Sequence, residues 1–410
     1  MANVADQVSM RRHNLGTVLR HLRDSGPRSR ARIATETGLN KATVSSLVAE
    51  LEERGLVREG DIERGQVGRP GQAVEIDGRV CGLGVELGID HIATHVLDLR
   101  GESVASRRIP VGVHELGPEQ TLGRLATLIE EITVEVAAVG RDIVGVAVGV
   151  PGLVETAHGT LRVATNLGWR DISVVNELMS LLKGPAYSIL LDNDANLAAI
   201  AEHAMGAATG ARTMVYVTGE VGVGGGVIVN GQVMRGAEGY AGEVGHMVVA
   251  ADGLLCGCGR RGCWETVAGL PAMLRQVADP DDHIADPALD LEQRLAEIVR
   301  RAELGDARTL RGLDAVGTGV GLGVSILANV FNPQVIVLGG FFAVLSEYVV
   351  PAIENELASR MVARSLSGCR VERSAYPFAA AARGGAHVVL ETVLADPMSV
   401  LRTAHAGGGR

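Results

Sequence analysis

Between Glu238 and Glu265 the chain reads EGYAGEVGHMVVAADGLLCGCGRRGCWE, with its sulfur and nitrogen donors spaced as metal ligands. Cys256, Cys258 and Cys263 form a Cys-x-Cys-x4-Cys run, and His246 lies ten positions before the first of them. Zn2+ takes four N or S ligands in a tetrahedron, and a Cys3His set fills that shell, as a structural site requires. The glycines around the cysteines let the backbone turn tightly enough for three thiolates to face one point. Buried cysteines beside an unrelated core histidine would share these letters, but a glycine-rich loop carrying Arg260 and Arg261 is a poor core segment. One structural Zn2+ per chain is expected.

A second constellation, Leu191-Asp192-Asn193-Asp194-Ala195-Asn196, stands where an apolar strand gives way to a helix. Carboxylates and amides at a strand terminus point toward a ligand or solvent. Hydroxyl-rich ligands need such groups, which accept and donate in fixed directions. Asp194 could act as a general base on a sugar hydroxyl. Helix capping by Asn193 or Asp194 accounts for the same letters equally well. Asn166, in Thr165-Asn166-Leu167-Gly168-Trp169, is just as open, while Glu243 and Glu265 frame the cysteine loop and could reach the same pocket.

The elements that must position these residues occupy a chain of 410 residues, long enough for two or three domains. Aromatics make up only 3%, so the cores must be built from Val, Leu, Ile and Ala. Five cysteines, three of them placed as metal ligands, fit a reducing, cytoplasmic setting. No apolar run approaches the roughly 18 residues of a membrane span, and the N-terminus has no signal-peptide core. Net charge is -10 but unevenly spread. Residues 11–70 hold twelve basic against eight acidic side chains, and the remainder holds 26 against 40. A basic segment on an acidic body is the asymmetry of a nucleic-acid-binding module joined to something else.

Within that segment Leu15, Val18, Leu19 and Leu22 recur at helical spacing up to the stop at Asp24-Ser25-Gly26-Pro27. A short helix through Ile33 and Ala34 ends at Gly38. Asn40 then caps a third helix whose Val44, Leu47, Val48 and Leu51 share one face. This spacing predicts a helix-turn-helix whose third helix offers Asn40, Lys41, Thr43, Ser45 and Ser46 to DNA. Residues 64–71 read as a wing presenting Arg69. The winged helix is expected over 11–71, a larger body over 79–395, and a disordered tail over 396–410. In the body, strands are predicted over 80–85, 92–97, 143–150, 188–191, 214–217, 226–229 and 335–338. Helices are predicted over 120–138, 195–205, 291–303, 316–330 and much of 345–366. Strand groups alternating with helices, twice over, suggest two α/β lobes with a cleft between them.

The chain resembles the ROK family, which contains sugar-responsive repressors and sugar kinases, and within it the repressor branch with a winged helix. Gly242-Glu243-Val244-Gly245-His246 and the run from Cys256 to Glu265 carry the resemblance, with Asn193-Asp194-Ala195-Asn196 and Gly149-Val150-Pro151-Gly152. It implies a two-lobed, actin-like ATPase fold with a hexose-type ligand in the cleft. Family sugar contacts fall on Asn166, Asn193, Asp194, Glu243, His246 and Glu265, and zinc ligands on His246, Cys256, Cys258 and Cys263. His246 has two ring nitrogens and can serve both.

The departures matter too. Kinases of the family hold ATP phosphates with Asp-x-Gly-Gly-Thr-Lys and a Gly-Thr-Gly loop. This chain has Glu86-Leu87-Gly88-Ile89-Asp90-His91 and Glu220-Val221-Gly222 at those places. The added carboxylates repel polyphosphate, leaving Asp194 a vestigial base. The sequence therefore reads as a DNA-binding regulator, a repressor, that binds operator DNA and a monosaccharide effector as a homodimer or homotetramer. The alternative is a sugar kinase with an appended DNA-binding domain.

Overall fold

The computed structural model describes residues 2–62, 72–286, 289–363 and 368–400. The basic segment folds as a helix-turn-helix. Helix Ala2–Ser25 buries Leu15, Val18, Leu19 and Leu22, so the boundary expected at residue 11 falls inside a helix. Helix Arg30–Thr37 stops at Gly38, whose φ of 74° is open to glycine at no steric cost. The Asn40 side chain accepts the Thr43 N–H at 2.8 Å and opens helix Lys41–Glu53. Strand Gln72–Ile76 is central to a small antiparallel sheet, pairing with Val57–Ile62 on one side and the short Arg28–Ser29 edge on the other. The expected wing, with Arg69, lies outside the described residues.

The body holds two five-stranded sheets. The first runs in the order Ser188–Asn193, Asp142–Val150, Val80–Leu87, His91–Asp98, Ser103–Pro110. The second runs Arg370–Arg373, Val335–Gly339, Met214–Gly219, Val223–Val229, Gln232–Val233. Each is an antiparallel meander of three strands flanked by two parallel ones, so order and direction repeat. Two α/β lobes of one plan result, as expected.

Two helices lie between the sheets. Helix Ala380–Ala395 packs on the first sheet, where a side chain on Gly84 would collide with the Ala382 carbonyl. Helix Asp194–Met205 packs on the second, where a Cβ on Gly226 would lie 2.6 Å from the Ala195 oxygen. The helices meet at Gly384, which has no room for a Cβ against the Leu197 carbonyl. Every interface in this stack of sheet, helix, helix and sheet is a backbone-to-backbone approach that only small residues allow.

Ala386, Leu390, Val393 and Leu394 of the last helix also share a core with Leu15, Leu19, Leu47 and Leu51 of the head. The chain continues past that helix in an ordered path, which corrects the expectation of a disordered tail from 396. Pro397–Ser399 make one 3-10 turn, and Arg54 Nη1 donates to the carbonyls of Met398 (3.0 Å) and Val400 (2.6 Å). Glu50 balances the buried guanidinium, and Val400 is buried beneath it. Residues 401–410 lie outside the described residues.

Helix Ala307–Phe331 is long and apolar enough to cross a membrane by length and composition, contrary to the sequence reading. Its Leu313, Val316, Val320, Val324 and Leu327 are instead buried in the second lobe's core, against Val349, Ile353 and Leu357.

Candidate functional site

The cysteine loop folds back on itself through isolated bridges, Val248 to Cys263 and Leu255 to Arg261. Gly259 (φ 83°) and Gly262 (φ 72°) supply the left-handed turns between Cys258 and Cys263. His246 closes the short 3-10 turn Val244–His246. The ligand atoms of His246, Cys256, Cys258 and Cys263 all lie within 4.8 Å of one another, an arrangement that could hold a metal ion. Cys258 Sγ is 3.6 Å from Cys263 Sγ, and Cys256 Sγ is 3.6 Å from His246 Nδ1. A tetrahedral Zn2+ with ligand bonds of about 2.0–2.3 Å sets its ligands roughly 3.5–3.8 Å apart, so these spacings fit. None of the five cysteines is in a disulfide.

His246 faces two ways. Its Nδ1 is turned to the sulfurs, while its Nε2 lies 3.8 Å from Glu243 Oε2. On that second side a cleft of about 730 Å3 opens between the lobes. Asn166, Asn193, Asp194, Glu243, His246 and Glu265 all line it, though they come from four separate segments. Asn166 sits in the turn between strands Thr160–Ala164 and Trp169–Ile172 of a small antiparallel sheet. Glu265 starts the four-residue helix after the last cysteine. Gly222 leaves it space, since a Cβ there would lie 2.5 Å from Glu265 Oε2 and 3.5 Å from Asn166 Nδ2.

The capping question at the strand end resolves onto Asn193. Its Oδ1 accepts the Asn196 N–H at 3.0 Å and its Nδ2 donates to the Gly152 carbonyl at 3.2 Å, which leaves one amide N–H and one oxygen lone pair toward the cleft it lines. Asp194 accepts its neighbour's N–H from Ala195 and opens onto the cleft. Burial, then the nearby carboxylates of Glu220, Glu86 and Glu243, push its carboxyl up to about 8 against the pull of that N–H. Trp169, which the sequence reading gave no role, also lines the cleft, and its buried indole N–H has no partner. The signal was there: a tryptophan three residues from Asn166 in a chain with two.

The ROK family model matches residues 82–392, and a MarR family model matches 16–65. The chain belongs to the ROK family. It is similar to the xylose repressor of Bacillus spizizenii, 30% identical over 398 residues, which covers 96% of this chain and 98% of that protein. A glucokinase of Halalkalibacterium halodurans is 31% identical, but the match spans only 70% of this chain. A crystal structure of a ROK family transcriptional regulator, a homolog of the E. coli MLC protein, superposes with a TM-score of 0.78 at 24% identity over 96% of this chain and 99% of that one. The two-lobed ROK fold with an N-terminal helix-turn-helix is thus established.

In the helix-turn-helix of this ROK protein, Lys41, Ser45 and Ser46 are exposed at the start of the third helix, and Thr43 is half-buried. Asn40 spends its side-chain oxygen on the cap, and Ser46 Oγ accepts from Arg11 at 3.2 Å. Two turns face each other on the cleft, Gly88 and Ile89 from one lobe and Glu220 to Gly222 from the other.

Proposed function

We propose that this ROK protein is a sugar-responsive transcriptional repressor whose cleft binds a monosaccharide or a derivative without phosphorylating it. The observation that carries the reading is the shared core of head and body. Helix Ala2–Ser25 and helix Lys41–Glu53 pack directly on the last helix, which abuts the helix that begins at Asp194. Ligand-facing residues and DNA-facing residues are thus two packing steps apart. The full-length match to a xylose repressor supports it, since the glucokinase match spans less of the chain.

In this reading Asp194, Glu243, Glu265 and Asn166 accept and donate to sugar hydroxyls, with the free side of His246 among them, and Asn193 holds the strand end in place. Zn2+ would be held by His246, Cys256, Cys258 and Cys263, and would supply a structural anchor. His246 is oriented by its metal-facing nitrogen so that Nε2 presents to the ligand. The carboxylates of Glu86, Asp90 and Glu220 oppose a polyphosphate at the two turns, which argues against kinase activity even though Asp194 is retained. DNA recognition falls to Lys41, Thr43, Ser45 and Ser46, with Arg69 of the wing, and a homodimer or homotetramer in the cytoplasm would meet paired half-sites one helical turn apart.

Fluorescence anisotropy on DNA from upstream of the gene, titrated with D-xylose, D-glucose and N-acetylglucosamine, tests the reading. Release of DNA by one of these sugars is expected. ATP-dependent turnover of any of them, abolished by Asp194→Asn, would establish the kinase alternative instead.

A further inference from the structure

The turn Leu87–Asp90 is filled by its own histidine. The His91 ring lies flat against Gly88, so that a Cβ on Gly88 would sit 2.8 Å from Nε2 and collide with the ring's other atoms. His91 is almost wholly buried at the start of its strand, as is Glu86 at the end of the preceding one. Its Nδ1 is 2.9 Å from Asp90 Oδ1, and its Nε2 is 3.4 Å from Glu86 Oε1. Arg108 of the next strand brings Nη2 to 3.3 Å from the ring and rests its guanidinium over Phe378. All these groups belong to the first lobe or to the segment leading into the last helix.

Glu220 does not. It stands in the tight turn between strands Met214–Gly219 and Val223–Val229 of the second lobe, closed by its own N–H to the Gly222 carbonyl at 3.1 Å. Yet its carboxylate, that of Glu86 and a ring nitrogen of His91 all lie within 4.8 Å of one another. The two lobes thus approach through these side chains beside a void of about 20 Å3 lined by Glu86, Asp194, Thr218, Glu220 and Phe378. That void has room for one water at most.

We infer that His91 and Glu220 form an electrostatic clasp between the lobes, an internal imidazolium that draws the two turns together with no bound ligand supplying the charge. Such a pair is worth having only if the imidazole keeps its proton and the carboxylate loses its own. Despite burial, the carboxylates of Asp90, Glu86 and Glu220 push His91 up to about 10. Burial and Glu86 push Glu220 up to about 7, against His91 and Arg108. Two other titratable groups face the pair: Asp194, whose proton stays on up to about pH 8, and the buried Tyr216, whose phenol burial holds protonated well above its usual range. The clasp is therefore engaged between about pH 7, where Glu220 ionises, and about pH 10, where His91 loses its proton, and it is released below pH 7. The inference rests on the two-lobed fold and holds whichever sugar the cleft accepts.

The test is a double-mutant cycle on the full chain with no ligand present. His91→Gln, Glu220→Gln and the pair are unfolded in urea at pH 8 and at pH 5.5. The clasp requires non-additivity at pH 8 of about tenfold or more in the unfolding equilibrium constant, shrinking at least threefold at pH 5.5. Strict additivity at pH 8 overturns it, and so does a coupling indifferent to pH. Small-angle scattering on Glu220→Gln alone keeps the test open if a His91 variant misfolds. A radius of gyration larger than wild type at pH 8 and equal at pH 5.5 supports the clasp, and no change at either pH refutes it. Metal analysis gives a third arm, since loss of a second bound ion in Glu220→Gln would replace the clasp with a metal bridge.

Discussion

Replacing Asp194 with Asn should stabilise the protein, and by an amount that grows with pH. In the folded chain the carboxyl titrates near 8, while an unperturbed aspartate titrates near 3.8. Between those values the native state holds a proton that the unfolded state has released, so wild-type stability falls as pH rises through this window. Each unit of difference is about 1.36 kcal/mol, which over the window sets an upper bound of roughly 5–6 kcal/mol. The cleft is open to water, and screening cuts that bound, so about 2–3 kcal/mol is the working figure. Asparagine keeps the acceptor for the Ala195 N–H and removes the charge. The difference in unfolding free energy, Asp194→Asn minus wild type, should therefore rise by about 2 kcal/mol between pH 5 and pH 8 and then level off. Urea titrations at four pH values measure it, and all other titrating groups cancel in the difference to first order. A flat difference would show that Asp194 ionises at an ordinary pH, and the reasoning about its acidic surroundings would fail.

Three further outcomes are expected. Cys258→Ser should lower bound zinc from about one per chain, because the loop loses a thiolate ligand, and elemental analysis of the purified protein checks this; unchanged content would defeat the ligand assignment. Gly384→Ala gains up to about 1 kcal/mol of helix propensity, but its methyl meets the Leu197 carbonyl and forces the two central helices apart at about 1–3 kcal/mol. The clash should win, lowering the melting temperature by a few degrees. Arg54→Met strands the carbonyls of Met398 and Val400 and half of Glu50's pairing, while Arg11 still holds Glu50. A loss of about 2–3 kcal/mol is expected, with faster amide exchange confined to 396–400 and the end of the recognition helix.

The sequence made the chemistry legible and much of the scaffold too, because both depend on local pattern. The Cys3His set, the Asn40 cap and the amphipathic spacing of Val44, Leu47, Val48 and Leu51 are short-range signals. The last helix was not legible. AAARGGAHVVLETVLA carries Gly384 and Gly385 in its first half, and propensity reads such a stretch as a poor helix. Those glycines are there because the Leu197 carbonyl and Gly84 lie against them, a fact of tertiary contact alone. The two lobes showed in the repeated strand groups, but their shared strand order and direction did not, since the halves do not share residues. The tail misled in a similar way. Nothing local in Asp396-Pro397-Met398-Ser399-Val400 announces that Arg54, 344 positions from Met398 in sequence, will bind its carbonyls.

The position of the ligand-facing junction suggests how the cleft can reach the head. Asn193 ends a strand of the first sheet, and Asp194 begins a helix seated on the second, so the chain crosses between lobes at the residue pair that faces the cleft. A ligand that fixes the angle there fixes the helix starting at Asp194. That helix bears on the last helix through Leu197 and Gly384, and the head grips the far end of the last helix through Leu390 and Leu394. Packed interfaces are bistable and do not deform continuously, so a small rotation is passed on whole.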